Sequence, residues 1–107
     1  MANVYKNAKV DLTTTNVTTL YTCAALTTGI VKSILVCNDS VHNDTITVTI
    51  TDTSSNVFTV YSAYAVSGPS TSELLTGPLV IQTGEVLKVT AATADRLHVT
   101  ASILEVT

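Results

Sequence analysis

The sequence predicts an all-β fold: a single-domain antiparallel β-sandwich, jelly-roll-like, with about eight strands. Three observations carry that expectation. Residues 45–51 alternate without a fault, Thr45, Thr47, Thr49 and Thr51 on one parity and Ile46, Val48 and Ile50 on the other. Successive side chains of a strand point to opposite faces, so this segment has one wet face and one buried face. Thr and Val dominate, Trp is absent and aromatic residues make up 5%, a composition that suits strands and is poor in helix formers. Turn-forming clusters recur at the spacing of short strands, and no helical period runs between them.

Taken in order, residues 1–9 (MANVYKNAK) form a short polar start that is read as an N-terminal arm, of a kind usually frayed, with docking on a neighbour through Val4 and Tyr5 as the sharper alternative. The sandwich domain is expected over 10–107. Residues 10–13 suggest a short strand and 16–23 (NVTTLYTC) a better one, in which the pattern does not decide between the Val17/Tyr21 face and the Leu20 face. A turn at 25–29 ends on Gly29, a residue free to take a positive φ. Residues 30–37 form an aliphatic run interrupted by Lys32 and Ser33. With 45–51 it is expected to make an antiparallel hairpin across the polar link 38–44 (NDSVHND). Fully burying Ile46, Val48 and Ile50 stabilises by about 1.5–3 kcal/mol each.

The turn cluster 53–56 (TSSN) leads into a strand over 57–66, with Phe58, Val60, Tyr64 and Val66 on one parity and Tyr61 on the other. The loop 67–72 (SGPSTS) has the highest turn density in the chain. The extended run 73–82 is broken at Gly77-Pro78, because Pro lacks a ladder donor and belongs at an edge or bulge. After Thr83-Gly84, residues 85–91 and 97–106 are read as a terminal hairpin, with Leu97, Val99, Ala101 and Ile103 facing the core.

Charged residues make up 12% of the 107, against about 25% in an ordinary soluble domain. A surface of Thr, Ser and Asn with so little charge invites edge-to-edge pairing, which hints at assembly with neighbouring subunits. The net charge of −3, with five scattered cations, argues against nucleic acid. Neither a signal segment nor an apolar run of membrane-spanning length is read. Synthesis in a cytoplasm without classical secretion is therefore expected, and no membrane partner. Cys23 and Cys37 are accordingly read as two buried free thiols.

Candidate chemistry is sparse. His42 lies in a polar link and His98 on the polar parity of a strand, without the ligand spacing that zinc requires. Asn38, Asp39, Asn43 and Asp44 supply oxygens but do not follow the EF-hand pattern, and turn chemistry accounts for them. The sequons at Asn16, Asn38 and Asn43 are chance products of an Asn- and Thr-rich chain. No nucleophile setting supports a hydrolytic triad. No catalytic residue, metal site or cofactor is assigned, and the chain is read as a non-enzyme. The large amphipathic groups Tyr5, Tyr21, Tyr61 and Tyr64 either pack at the core rim or anchor a subunit or glycan contact.

The combination of TTGIVKSILVCND (27–39), SELLTGPLVIQTGEVLKVTA (72–91) and LHVTASILEV (97–106) resembles small structural proteins of tailed bacteriophages, over residues 17–106. The resemblance implies a β-sandwich virion protein made in the host bacterial cytoplasm. Its leading implication is a capsid decoration (cement) protein whose partners are the major capsid protein and its own copies, as a homotrimer. The alternative is a small tail, neck or fibre component, including a receptor- or glycan-binding module. Val4, Tyr5, Tyr61, Tyr64 and Pro69 are the interaction residues expected, with the 67–72 loop as one contact.

Overall fold

The computed structural model of the chain describes residues 3–107. They form nine strands: β1 Asn3–Leu12, β2 Thr18–Thr22, β3 Thr28–Asn38, β4 Asp44–Thr51, β5 Val57–Val66, β6 Ser70–Glu73, β7 Leu79–Ile81, β8 Val86–Ala91 and β9 Leu97–Val106. Sheet I has the order β1-β9-β3, with β6 and β7 both paired to the far side of β3; sheet II has the order β2-β8-β4-β5. All pairings are antiparallel. Taken together, β6 and β7 are one strand interrupted near Gly77-Pro78, where a ladder donor is missing. The strand order is then that of a jelly roll, two four-stranded layers wound from Greek keys.

The two expected hairpins are not hairpins. β3 and β4 lie in different sheets, as do β8 and β9. Their links carry the chain across the sandwich, because both strands of each pair bury an inner face and each does so against the other layer. Asn38 marks the first crossing: it is fully buried, and its side chain donates to Val66 O (3.1 Å) and His42 O (2.8 Å) while accepting from Ser40 N (3.0 Å). The true sequence-local hairpin is β4–β5, closed by the 53–56 turn, where Asp52 Oδ1 accepts from Ser54 N and Asn56 N at 2.9 Å each.

Other expectations change in detail. Residues 3–9 do not form a separate arm; they are the first part of β1, paired in unbroken register from Asn3↔Val106 to Leu12↔Leu97. Met1 and Ala2 lie outside the described residues. Gly29 sits inside β3 and is required for close approach, since a Cβ there would meet the Tyr21 ring at 2.8 Å; the positive φ belongs to Gly84, at 83°. In β2 the register shifts between Thr19 and Tyr21, so Leu20 and Tyr21 are both buried, which is why the alternation could not choose a face.

The core is the space between the layers. Leu12, Val31, Ile34, Val36, Ile46, Val48, Val66, Ile81, Leu87, Val89, Leu97 and Ile103 are fully buried, drawn from the inward parity of strands in both sheets. Ile46 and Val48 of the alternating segment are among them, and Ile50 is half-buried beside them.

Candidate interaction surfaces

The five expected interaction residues fall at three separate places. Tyr5 and Val4 are consecutive on β1, 76% and 52% exposed, and point to opposite sides of sheet I. Tyr61 and Tyr64 lie on β5, one of the two free edges of sheet II. Pro69 is exposed in the β5–β6 loop, after a cis Gly68-Pro69 bond.

Tyr5 heads a row that the register assembles across sheet I. It faces Leu104 on β9, Leu104 faces Ile30 on β3, and Ile30 faces Val80 on β7. All four lie on the outward side. Tyr5 and Val80 (49%) are exposed, Ile30 and Leu104 half-buried, and Leu35 (41% exposed) stands further along β3 on the same side. A lone exposed Leu is unremarkable, whereas apolar residues aligned across a whole sheet form the kind of patch that interaction surfaces use. Ile30, Leu104 and Val80 were not singled out from the sequence. Leu104 and Val106 interrupt the polar parity His98, Thr100 and Ser102 of β9, and that interruption was the available signal.

On β5 the parity reading fails. The β4–β5 register shifts between Ile46 and Val48 and again between Val48 and Thr49. These bulges bring Tyr61 opposite Val48, Tyr64 opposite Ile46 and Phe58 opposite Ile50, all on the inward side. Tyr61 is structural: its hydroxyl donates to Leu74 O at 2.5 Å, and its ring meets Tyr64 edge-on at 5.6 Å and 79°. Tyr64 (38%), Phe58 (58%) and Val57 (61%) remain exposed along this edge.

The loops at the Pro69 end are tied to one another. Asp39 N donates to Arg96 O at 3.2 Å, Arg96 Nη1 to Asn43 O at 3.0 Å and Thr93 N to Asp44 Oδ2 at 3.3 Å. Gly68 is wedged so closely that a Cβ would lie 2.5 Å from Ser40 O. Val17 (63% exposed) and Val41 (79%) stand on loops of the same end. At the opposite end Tyr21 donates to Glu105 Oε2 at 2.5 Å, and Lys6 Nζ lies 3.5 Å from Glu105 Oε1. Burial first, and then the hydrogen bond to Glu105, push the Tyr21 phenol well above its usual range.

His98 is on the outer side of sheet I, its Nε2 3.0 Å from Asp39 Oδ2 and its Nδ1 3.7 Å from Asp11 Oδ1. It borders a shallow cleft of about 250 Å³ shared with Lys9, Val10, Asp11, Val99 and Thr100. The two carboxylates approach opposite ring nitrogens, so they do not converge on a common point. Among the described residues no group of three His, Cys, Asp or Glu side chains is arranged to hold a metal ion. The cysteines are free, Cys23 buried and Cys37 half-buried. No helix among the described residues is long and apolar enough to cross a membrane. In comparisons with known proteins, the chain matches no family model, no curated protein and no solved structure.

Proposed function

We propose that the chain is a virion structural subunit of a tailed bacteriophage, a head decoration protein that docks on the outer shell and associates with its own copies. The observation that carries this reading is the apolar row Tyr5–Leu104–Ile30–Val80 on the outward side of sheet I, on a chain with only 12% charged residues. A protein that lives packed against a shell and its own neighbours has use for such a face; a freely diffusing one is exposed to aggregation through it. The resemblance over residues 17–106 supplies the virion, and the surface supplies the reason to assemble. In this role the subunit binds across adjacent capsid proteins and stabilises the assembled shell by mass action, with many copies compounding weak single contacts.

The test is the stoichiometry of this chain in purified particles, measured by quantitative mass spectrometry against the major capsid protein. Copies in proportion to the capsid protein support the decoration role. A handful per particle overturns it in favour of a second reading, a tail, neck or fibre component. The exposed aromatic edge at Phe58 and Tyr64 favours that reading as a glycan-stacking surface, and a glycan array then becomes its direct assay.

A further inference from the structure

The sandwich has four free strand edges, and they are not alike. β2 has five residues and a register shift. β5 has two register shifts and a residue at positive φ, Ala63 at 47°. The β6/β7 edge is two short pieces of four and three residues separated by Gly77-Pro78. Each carries a device that blunts pairing with another chain: shortness, a bulge or a proline. β1 carries none of these. Its ten residues run in unshifted register along β9, and the opposite side of the strand presents the N–H and C=O groups of Asn3, Tyr5, Asn7 and Lys9, while Asp11 O is turned back to accept from Thr13 N at 3.0 Å. Lysines are a further common guard of an edge; on β1 Lys6 is engaged within the chain, with Glu105 at 3.5 Å, and Lys9 makes only an exposed contact to Asn7 Oδ1 at 3.3 Å that a partner can replace. The first five described residues of β1, Asn3 to Asn7, are exposed, so the ladder to β9 is what holds them.

We infer that β1 pairs with β1 of a second copy, antiparallel about a two-fold axis at Asn7, joining the two copies of sheet I into one continuous sheet. The occupant follows from the strand's own complementarity. Facing residues in antiparallel pairing share a side. A register centred on Asn7 sets Lys9 of one copy against Tyr5 of the other, and it does so twice by symmetry, a cation over an aromatic face. It also sets Val4 against Val10, Lys6 against Ala8, Asn3 against Asp11 and Asn7 against itself, with no like charges facing. Centring on Lys6 or on Lys9 would oppose two ammonium groups. The hydrogen-bonding phase agrees with Asn7. Leu12 O is turned to the β9 side, where Asp95 N donates to it at 2.9 Å, and alternation along the strand turns the N–H and C=O of Asn7 to the free edge.

The inference rests on the reading of the chain as an assembling subunit and commits to a two-fold pair in place of the homotrimer that the resemblance implies. Light scattering of the purified full chain across the micromolar range tests it, with circular dichroism as the check on folding. The expected result is a dimer. Asn7→Pro removes one edge donor from each copy and weakens the dimer by about 30-fold or more, the loss of two hydrogen bonds. Should that variant misfold, Tyr5→Lys sets like charges face to face at an exposed position and is expected to give a folded monomer. A wild-type monomer, a trimer, or a dimer that survives Tyr5→Lys overturns the pairing. Failure here is distinct from failure of the proposed function: a solution monomer found in capsid stoichiometry on particles refutes the edge pairing and leaves the decoration role standing.

Discussion

Sheet II aligns Thr19, Lys88, Thr49 and Thr59 in one outward row. A row across sheet I carries Tyr5, Leu104, Ile30 and Val80. Antiparallel pairing and inner-face burial are common to both layers, so the difference lies in the outward side chains. Threonine on a pleated face satisfies β propensity with its branched Cβ and meets water with its hydroxyl, a face that needs no cover. The sheet I row satisfies the same propensity and leaves its apolar groups to water. Fold stability requires neither arrangement, and the comparison therefore separates what holds the domain together from what, on the proposed function, would bring it to a partner.

Consecutive residues of β9 give the sharpest way to break the comparison. Ile103 is fully buried, and Ile103→Ala is expected to cost about 2–5 kcal/mol in urea unfolding. Leu104 points the other way, and Leu104→Thr should change the isolated chain by less than about 1 kcal/mol while abolishing shell binding in a particle co-sedimentation assay. Equal loss of stability in both would mean that the outer row is part of the core. Asn38→Ala comes next. It removes the bonds to Val66 O and His42 O and should cost about 1–3 kcal/mol, read by the same unfolding curves, with sheet I surface binding intact.

Tyr21→Phe removes the hydrogen bond to Glu105, at a cost of about 1–3 kcal/mol. The wild-type phenol also gives a pH signature. Its folded pKa is raised, so its contribution to stability is full below the unfolded phenol value of about 10 and falls as pH rises above it, where the unfolded state ionises first. Absorbance titration should show a phenol ionising well above the usual tyrosine range, and Tyr21→Phe should remove that late phase. The smallest effect is expected on sheet II. Thr49→Val should shift stability by no more than about 0.5 kcal/mol and leave particle binding unchanged; lost binding would assign the docking face to the wrong layer.

Local pattern revealed strands and turns but not their partners. The faultless alternation of β4 and the break at Gly77-Pro78 were legible because each depends on neighbours along the chain. The pairing of β3 and β4 was misread because period-2 alternation says that a face is buried, not whether it packs against a sheet or hydrogen-bonds beside the next strand. Tyr61 was placed on the wrong side because two bulges in β4–β5 reset parity without a sequence mark. Tyr5 was found as an isolated aromatic in a polar stretch. The row it heads was invisible because Tyr5, Ile30, Val80 and Leu104 come from four strands and meet only through register.

The place of β9 in sheet I also dictates the order of events during synthesis. It lies between β1 and β3, and of the nine strands it is synthesised last. Until residues 97–106 emerge, β1 has no ladder partner and β3 keeps one side open, so the nascent chain can assemble sheet II and the β3–β6/β7 pairings but cannot join β1 to its layer. Completion of the sandwich is then a long-range closure between β1 and β9, the kind of step that makes folding slow and exposes sticky strands meanwhile.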